Sequence, residues 1–410
     1  MHSPLLRAVA LTAAWLPAFA QAAPLTLGQA LDLAVQRSES TRSARAAALS
    51  AAESAHAAGR LPDPTLQAGI DNLPVTGAGA FRTTSDSMTM KRLGISQEWL
   101  SSQKRAARQA AADAVSARDD AQVQAAMADT RLQTAFAYVD AFYAKEDLKL
   151  TSLMEHHAHE EFEASKARVS SAVGSSQDVL ALASARGMAE DESDEVRQQQ
   201  SEALVALQRW VGIPVDELAP PDVSPPSTEA GFVSRLPSLV AMRRDVDVAR
   251  QAAAVTASER TPNWTWQVSY GQRTGYADMV SVGVSIPLQV APAQRQDRET
   301  ASKLALVEKA EADLAEATRA ANAEFATLRG DVQRLQRRMD RYRASVIAPA
   351  QQRIDVATAA YASNQVSLAT LFEARHAEVD AERKLLALQR DFARAQVQLA
   401  FKPLSNGGGQ

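Results

Sequence analysis

Four short stretches of this chain alternate between apolar and polar residues. Between them run long segments in which apolar residues recur every three or four positions. In the third stretch Trp264, Trp266, Val268 and Tyr270 fall on one side, and Asn263, Thr265, Gln267 and Ser269 on the other. The fourth sets Val280, Val282, Val284, Ile286 and Leu288 against Ser281, Gly283, Ser285 and Pro287. The first sets Leu66, Ala68 and Ile70 against Thr65, Gln67 and Asp71. In the second, Leu93, Ile95 and Trp99 oppose Arg92, Ser96 and Glu98, with Gln97 on the apolar side. A period of two predicts strands with one face in an apolar medium and one in water. Their expected ranges are about 64–72, 89–99, 263–271 and 279–289.

The longer pattern is helical. Leu328, Val332, Leu335, Met339, Tyr342 and Val346 fall at alternating steps of four and three, as do Leu132, Phe136, Val139 and Tyr143. That is the seam of a left-handed coiled coil. Long helices are expected over 101–170 and 293–361, with shorter returning helices over 177–211 and 366–400. A 70-residue helix spans on the order of 100 Å. Pro349 lies inside the second and must remove a hydrogen bond there. Shorter helices ending near Ala58 and Glu259 precede each pair of strands.

These elements come twice. Arg60-Leu61-Pro62 opens the first set and Arg260-Thr261-Pro262 the second, 200 residues on. Gly94 and Gly283 are 189 apart, so the first set carries eleven extra residues in its polar loop around 73–87. The helical break at Gly174 then matches one at Asn364, an offset of 190. Two internal repeats are expected, 23–211 and 235–402, joined by a Pro-rich linker over 212–234 and closed by a disordered tail over 403–410. Equal helix lengths are what side-by-side packing in one closed wall requires.

Composition narrows the setting. A net charge of −4 and no dense basic patch argue against nucleic acid as a partner. Residues 1–22 hold one arginine, an apolar stretch and Ala20-Gln21-Ala22 before Ala23, the pattern of a secretory signal peptide. The chain has no cysteine, which suits an oxidising compartment and removes any lipid-bearing thiol. After the signal no apolar run approaches the roughly 20 residues of a spanning helix. Strands must therefore do any crossing, and their length of about ten residues suits a tilted span. Trp99, Trp264, Trp266 and Tyr270 would then face lipid as an aromatic girdle. Four strands cannot close a barrel, and an open edge is not tolerated in hydrocarbon. Three copies would supply twelve.

Candidate chemistry is sparse. Within 155–163, His157 with Glu161 and His159 with Glu163 are i, i+4 neighbours, and His156 lies alongside; imidazole with carboxylate suits zinc or cobalt. The same residues also make an ordinary solvated helix face, and His157 continues the stripe of Leu150 and Met154. At most the cluster is a transient metal contact. His159-Glu160 lacks the second histidine of a zinc-protease helix, and Gly174-Ser175-Ser176 lacks the strand–turn–helix frame of a nucleophile elbow. No catalytic residues and no cofactor are expected. Without a phosphate-binding loop, energy for transport would come from a partner.

The mature chain resembles the TolC-like outer-membrane efflux proteins, and the resemblance is carried by the repeat and by two helical tips. The first tip runs from Arg168 through Gly174 to Leu180, and the second reads Tyr361-Ala362-Ser363-Asn364-Gln365-Val366-Ser367-Leu368. The resemblance implies an α+β membrane protein: coiled-coil hairpins forming a trimeric α-barrel, continuous with a twelve-stranded transmembrane β-barrel. It implies a homotrimer in outer-membrane lipid with a long periplasmic extension. It implies an adaptor (membrane fusion) protein docked at Arg168, Gly174, Ser176, Asp178, Asn364, Val366 and Leu368, and an inner-membrane pump of the RND type. Asn364 stands where glycine is usual. Glu373 falls where family members place an acidic residue near the inner constriction, and a ring of three would favour cations; the alternative is an ion pair with Arg375 or with a neighbouring subunit. Leu61-Pro62-Asp63-Pro64, Asp71-Asn72-Leu73-Pro74, residues 88–98 and Leu371-Phe372-Glu373-Ala374-Arg375 look like the heavy-metal branch. The expected function is a passive duct for heavy-metal cations. The alternatives are a multidrug or type I secretion duct, or a soluble periplasmic coiled-coil adaptor or scaffold.

Overall fold

The computed structural model describes residues 24–172, 174–223 and 228–404. The expected signal segment 1–22, Val173 of the first tip, part of the Pro-rich linker and most of the expected tail lie outside them.

Two short helices open the chain, α1 (Leu27–Arg37) and α2 (Glu39–Ala58). Thr26 caps the first through a reciprocal pair of hydrogen bonds with Gln29, and the Ser38 side chain accepts from the Thr41 amide to start the second. Strands β1 (Thr65–Asp71) and β2 (Met90–Trp99) follow, then α3 (Ser102–Ser170), unbroken for 69 residues, and α4 (Ser176–Val211). Gly212 ends α4 with φ +73°, a left-handed cap. The second half runs α5 (Glu229–Ser234), α6 (Pro237–Ser258), β3 (Trp264–Gln272), β4 (Met279–Ser285) and α7 (Gln296–Tyr342). It ends with a π-helical turn (Arg343–Ile347), α8 (Ala348–Ala362) and α9 (Leu368–Phe401).

Two boundaries differ from expectation for a physical reason. Strand β4 stops at Ser285, not 289, because Pro287 has no amide to donate to the ladder. The second long helix is three pieces, because the π turn widens the backbone just ahead of Pro349.

The strands form one antiparallel sheet in the order β1-β2-β3-β4. Its register lines up whole rows. Leu66, Ile95, Val268 and Val282 cross all four strands, as do Ala68, Leu93, Tyr270 and Val280. Between them run Thr65, Ser96, Gln267 and Gly283, and Gln67, Gly94, Ser269 and Ser281. The polar rows contain the buried positions: Ser96 and Ser269 are buried, whereas Leu66 is 72% exposed and Val282 74%. A Cβ on Gly94 would sit 2.8 Å from that of Ser269, so the strands close toward the polar side. No helix packs across the sheet among the described residues.

The helices bury their apolar residues in the ordinary way, but in four separate clusters along the length. One joins α1, α3, α4 and α9 around Tyr138 and Val139. Another, near the tips, joins Met154, Ala158, Leu182, Leu371 and Phe372. Helix α3 is the central element, packed by α2 and α6 toward the sheet and by α4 and α9 toward the tips. No helix is long and apolar enough to cross a membrane among the described residues.

Candidate functional site

The two helical breaks come together at the end of the molecule away from the sheet. At the first, Ala172 adopts φ +58°; its amide donates to the Val169 carbonyl (3.0 Å) and that of Gly174 to Arg168 (3.0 Å). At the second, Asn364 adopts φ +54°; its amide donates to Tyr361 (2.9 Å) and that of Gln365 to Ala360 (2.8 Å). The second is a Schellman end, and the first shares its bond from the left-handed residue back to the helix. The expected match of Gly174 with Asn364 is therefore corrected: Ala172 is the counterpart of Asn364, two residues earlier. Gly174 serves a different need, because a Cβ there would lie 2.8 Å from the Val169 amide nitrogen and 3.0 Å from the Arg168 carbonyl carbon.

Serine caps restart the chain on both sides. Ser175 accepts from the Gln177 amide at the head of α4, and Ser367 from the Thr370 amide at the head of α9. Asp178 sits in the first turn of α4, where its charge suits the helix dipole. Arg168 bridges the tips: Nη1 donates to the Tyr361 hydroxyl at 2.8 Å, and the guanidinium lies 5.3 Å from that ring's centre. Arg168, Gly174 and Asp178 line a cleft of about 160 Å³ with Ser165, Ser367 and Leu368. Ser176 and Asn364 are exposed and Val366 half-buried, whereas Leu368 is buried in the cluster of Met154 and Leu182. The seven expected residues thus divide: Gly174, Ser176 and Asn364 are exposed, Arg168, Asp178 and Val366 are half-buried, and Leu368 belongs to the core.

The histidine cluster disperses. His156 pairs with Glu160 at 3.2 Å, Glu163 pairs with Lys166 at 3.0 Å, and His159 points to solvent. Glu161 is buried and accepts from Arg375 Nη1 at 2.7 Å, while its second oxygen has no partner. Burial lifts its carboxyl to about 7, against the lowering pull of Arg375. Burial, with Arg375 close by, depresses the His157 imidazole. No group of three histidines and carboxylates placed to hold a metal is present among the described residues. Glu373 is exposed and forms no ion pair among the described residues; Arg375, its alternative partner, is committed to Glu161.

Sequence reasoning missed the Arg168–Tyr361 bridge and the Glu161–Arg375 clasp. The signal was available: both pairs lie at similar distances from the two breaks, so a hairpin pairing of the tips brings them level. It also missed the joint between sheet and helices. There Lys104, 2% exposed, donates to Glu259 Oε2 and Asn263 Oδ1, both at 2.7 Å, and Asn263 donates to Glu98 at 2.7 Å. Lys104 and Arg108 hold the Glu259 carboxyl below its usual range against the opposing effect of burial.

No protein-family model matches this chain. No curated protein matches it either. Solved structures do. The outer membrane protein VceC of Vibrio cholerae superposes with a TM-score of 0.74 at 19% identity, over 92% of this chain and 96% of that one. The outer-membrane channel OprN gives 0.77 at 18%, over 92% and 91%. CusC, described through its folding and transmembrane channel formation, gives 0.75 at 13%, over 92% and 91%. The chain has the fold of these outer-membrane channel proteins along nearly its whole length.

Proposed function

We propose that this chain is one subunit of a passive, homotrimeric outer-membrane duct in a tripartite efflux system. The observation that carries the reading is the sheet. It buries serine and glycine, presents Leu66, Leu93, Val280 and Val282 outward, and ends in two unpaired edges at β1 and β4. In water that arrangement would aggregate; in lipid it needs only its edges closed, which further copies provide. Trp99 and Trp264, cross-strand partners with ring centres 5.9 Å apart, stand at the end of the sheet nearest the helices, where a membrane interface would fall. The matching order of helices and strands in the two halves supports the duplicated architecture. Likeness to channel structures supports the duct over a soluble scaffold.

In this reading the helices form a periplasmic extension and the rim of the tips (Arg168, Gly174, Ser176, Asp178, Asn364, Val366), exposed or half-buried, meets an adaptor coupled to an inner-membrane pump. Glu373, exposed one turn beyond the second tip, supplies the carboxylate ring of the constriction. Heavy-metal cargo rests on the short segments that resemble that branch; the histidine cluster adds at most a passing contact. The test is growth of a deletion strain across zinc, cobalt, cadmium, nickel, copper and silver, with dyes and detergents alongside. Sensitivity to a subset of metals alone is the expected result. Sensitivity to organic compounds with unchanged metal tolerance keeps the duct and removes the metal assignment. Recovery of the chain from soluble extracts without detergent overturns the duct.

A further inference from the structure

Toward the tips the helices lie in the lateral order α4, α3, α9, α8. Helix α4 packs on α3, and α8 packs on α9, reaching α3 at the tip where Tyr361 meets Arg168. The two lateral edges of each copy are therefore α4 on one side and the α7–π–α8 helix on the other. Both edges are under-packed. No residue of α8 is buried, and Val356 is 69% exposed; on α4, Leu180 and Met188 are 73% and 71% exposed.

The edges carry opposite charge. Residues 190–202 of α4 hold six carboxylates against one arginine, a net of −5. Residues 329–353 hold seven arginines against two aspartates, a net of +5. Within each chain these charges are only partly neutralised: Glu190, Glu192 and Asp194 pair with Arg186, Arg383 and Arg197. Asp191 has no partner among the described residues, and Glu195 takes only a hydrogen bond from Gln199. Asp331 and Asp340 engage Arg334 and Arg343, which leaves Arg337, Arg338 and Arg341 exposed and without an ion pair among the described residues.

The bands also stand at the same height. Arg168 and Tyr361 tie the two tips level. At about 1.5 Å per residue, the acidic band runs from about 20 to about 40 Å beyond the start of α4, and the arginines from 353 back to 337 from about 14 to about 37 Å before the end of α8. Two like bands would repel at this level. These attract.

We propose that α4 of one copy docks head to tail against the α7–π–α8 edge of a second copy, acidic band on arginine band. The inference rests on the duct reading and adds to it the seam, the partner surface and their register. Because the two surfaces differ, the contact is heterologous, and repeating it closes a ring. It also accounts for the second long helix having partners on one side only within its own chain.

The test is charge reversal in the full-length protein, extracted in detergent and sized by gel filtration with light scattering. The α4 variant Asp191→Lys/Glu195→Lys and the α7 variant Arg337→Glu/Arg341→Glu should each lower the trimer fraction roughly tenfold or more, since each sets like charges face to face. Combining all four should restore the trimer, which a merely misfolded variant would not do. Independently, the chain has no cysteine, so Glu195→Cys/Arg341→Cys treated with a flexible bis-maleimide should yield linked dimers and trimers. A wild-type trimer whose reversal variants remain trimeric, with no cross-linking, overturns the seam alone and leaves these faces to another partner such as the adaptor. A wild-type chain that is soluble and monomeric overturns the duct reading beneath it.

Discussion

Helix α3 and the second long helix have nearly the same length and opposite surroundings. The first runs unbroken for 69 residues and buries Ala135, Tyr138, Val139, Ala141, Met154 and Ala158. The second is cut into 47, 5 and 15 residues by its π turn, and its last piece buries nothing. The difference follows from neighbours. Helix α3 has partners on both sides within its own chain, so each inward position is specified by packing. The α7–π–α8 helix has partners on one side only. A proline is tolerated at 349 because the carbonyls it leaves unbonded, near the exposed Ala344 and Ser345, face water.

The most forceful way to break this comparison is truncation at one site in each helix. Tyr138 is wholly buried, and its hydroxyl lies 2.7 Å from the Leu25 carbonyl and 2.6 Å from that of Ala219. Tyr138→Ala should cost about 3–5 kcal/mol in thermal or denaturant unfolding, as expected for loss of a large core side chain. Val356→Ala should stay within about 0.5 kcal/mol for the dissociated chain. A large loss at Val356 in monomers would show that α8 has partners within its own chain.

The same contrast explains what the sequence made legible. A strand buried on one face repeats every two residues and a coiled-coil seam every three or four, so both leave a period that can be counted. The Leu328 to Tyr342 seam and the alternation around Trp264 needed no structure to be seen. The tip geometry has no period. Whether Ala172 or Gly174 takes the left-handed position depends on where the last helical bond closes, and composition favours glycine although the chain uses alanine. Long-range ion pairs such as Glu161 with Arg375, 214 residues apart, become visible only once the two tips are set level. The histidine cluster shows the limit from the other side. Its spacing on one helix was right, but the side chains found separate partners on the helix surface and on α9.

Acid–base behaviour sharpens the comparison next, because the central helix buries a titratable group at its contact with α9. The Glu161 carboxyl is raised from 4.5 to about 7 by burial. A raised folded-state value means the fold holds the proton more tightly than the unfolded chain does. Its contribution is complete below about 4.5 and is lost as pH rises through about 7, at most roughly 3 kcal/mol. His157, depressed by burial, acts with the opposite sign and withdraws stability as pH falls below its ordinary range. Glu161→Gln should therefore flatten the decline between about pH 5 and 8 and leave the acid-side loss in place. An unchanged profile would mean that the carboxyl is solvated and that the clasp with Arg375 is an ordinary surface pair.

The smallest effects lie at the tips, where the two hairpins solve one problem with different residues. Gly174→Ala forces a Cβ against the backbone of Arg168 and Val169, and should cost about 1–3 kcal/mol of local stability, read by hydrogen exchange of the tip amides. Ala172→Gly should gain about 1 kcal/mol, because alanine at φ +58° bears the left-handed penalty that glycine lacks. Asn364→Gly, at φ +54°, should gain only a few tenths, since asparagine visits that region readily. The order of the last two is the informative part. If Asn364→Gly stabilised its tip as much as Ala172→Gly, the two ends would be equally strained and the asparagine would have to be explained by what it touches in an assembly. If the order holds, asparagine is sufficient as a helix stop at 364, and the strained alanine at 172 is the position where the chain has given up stability at the rim.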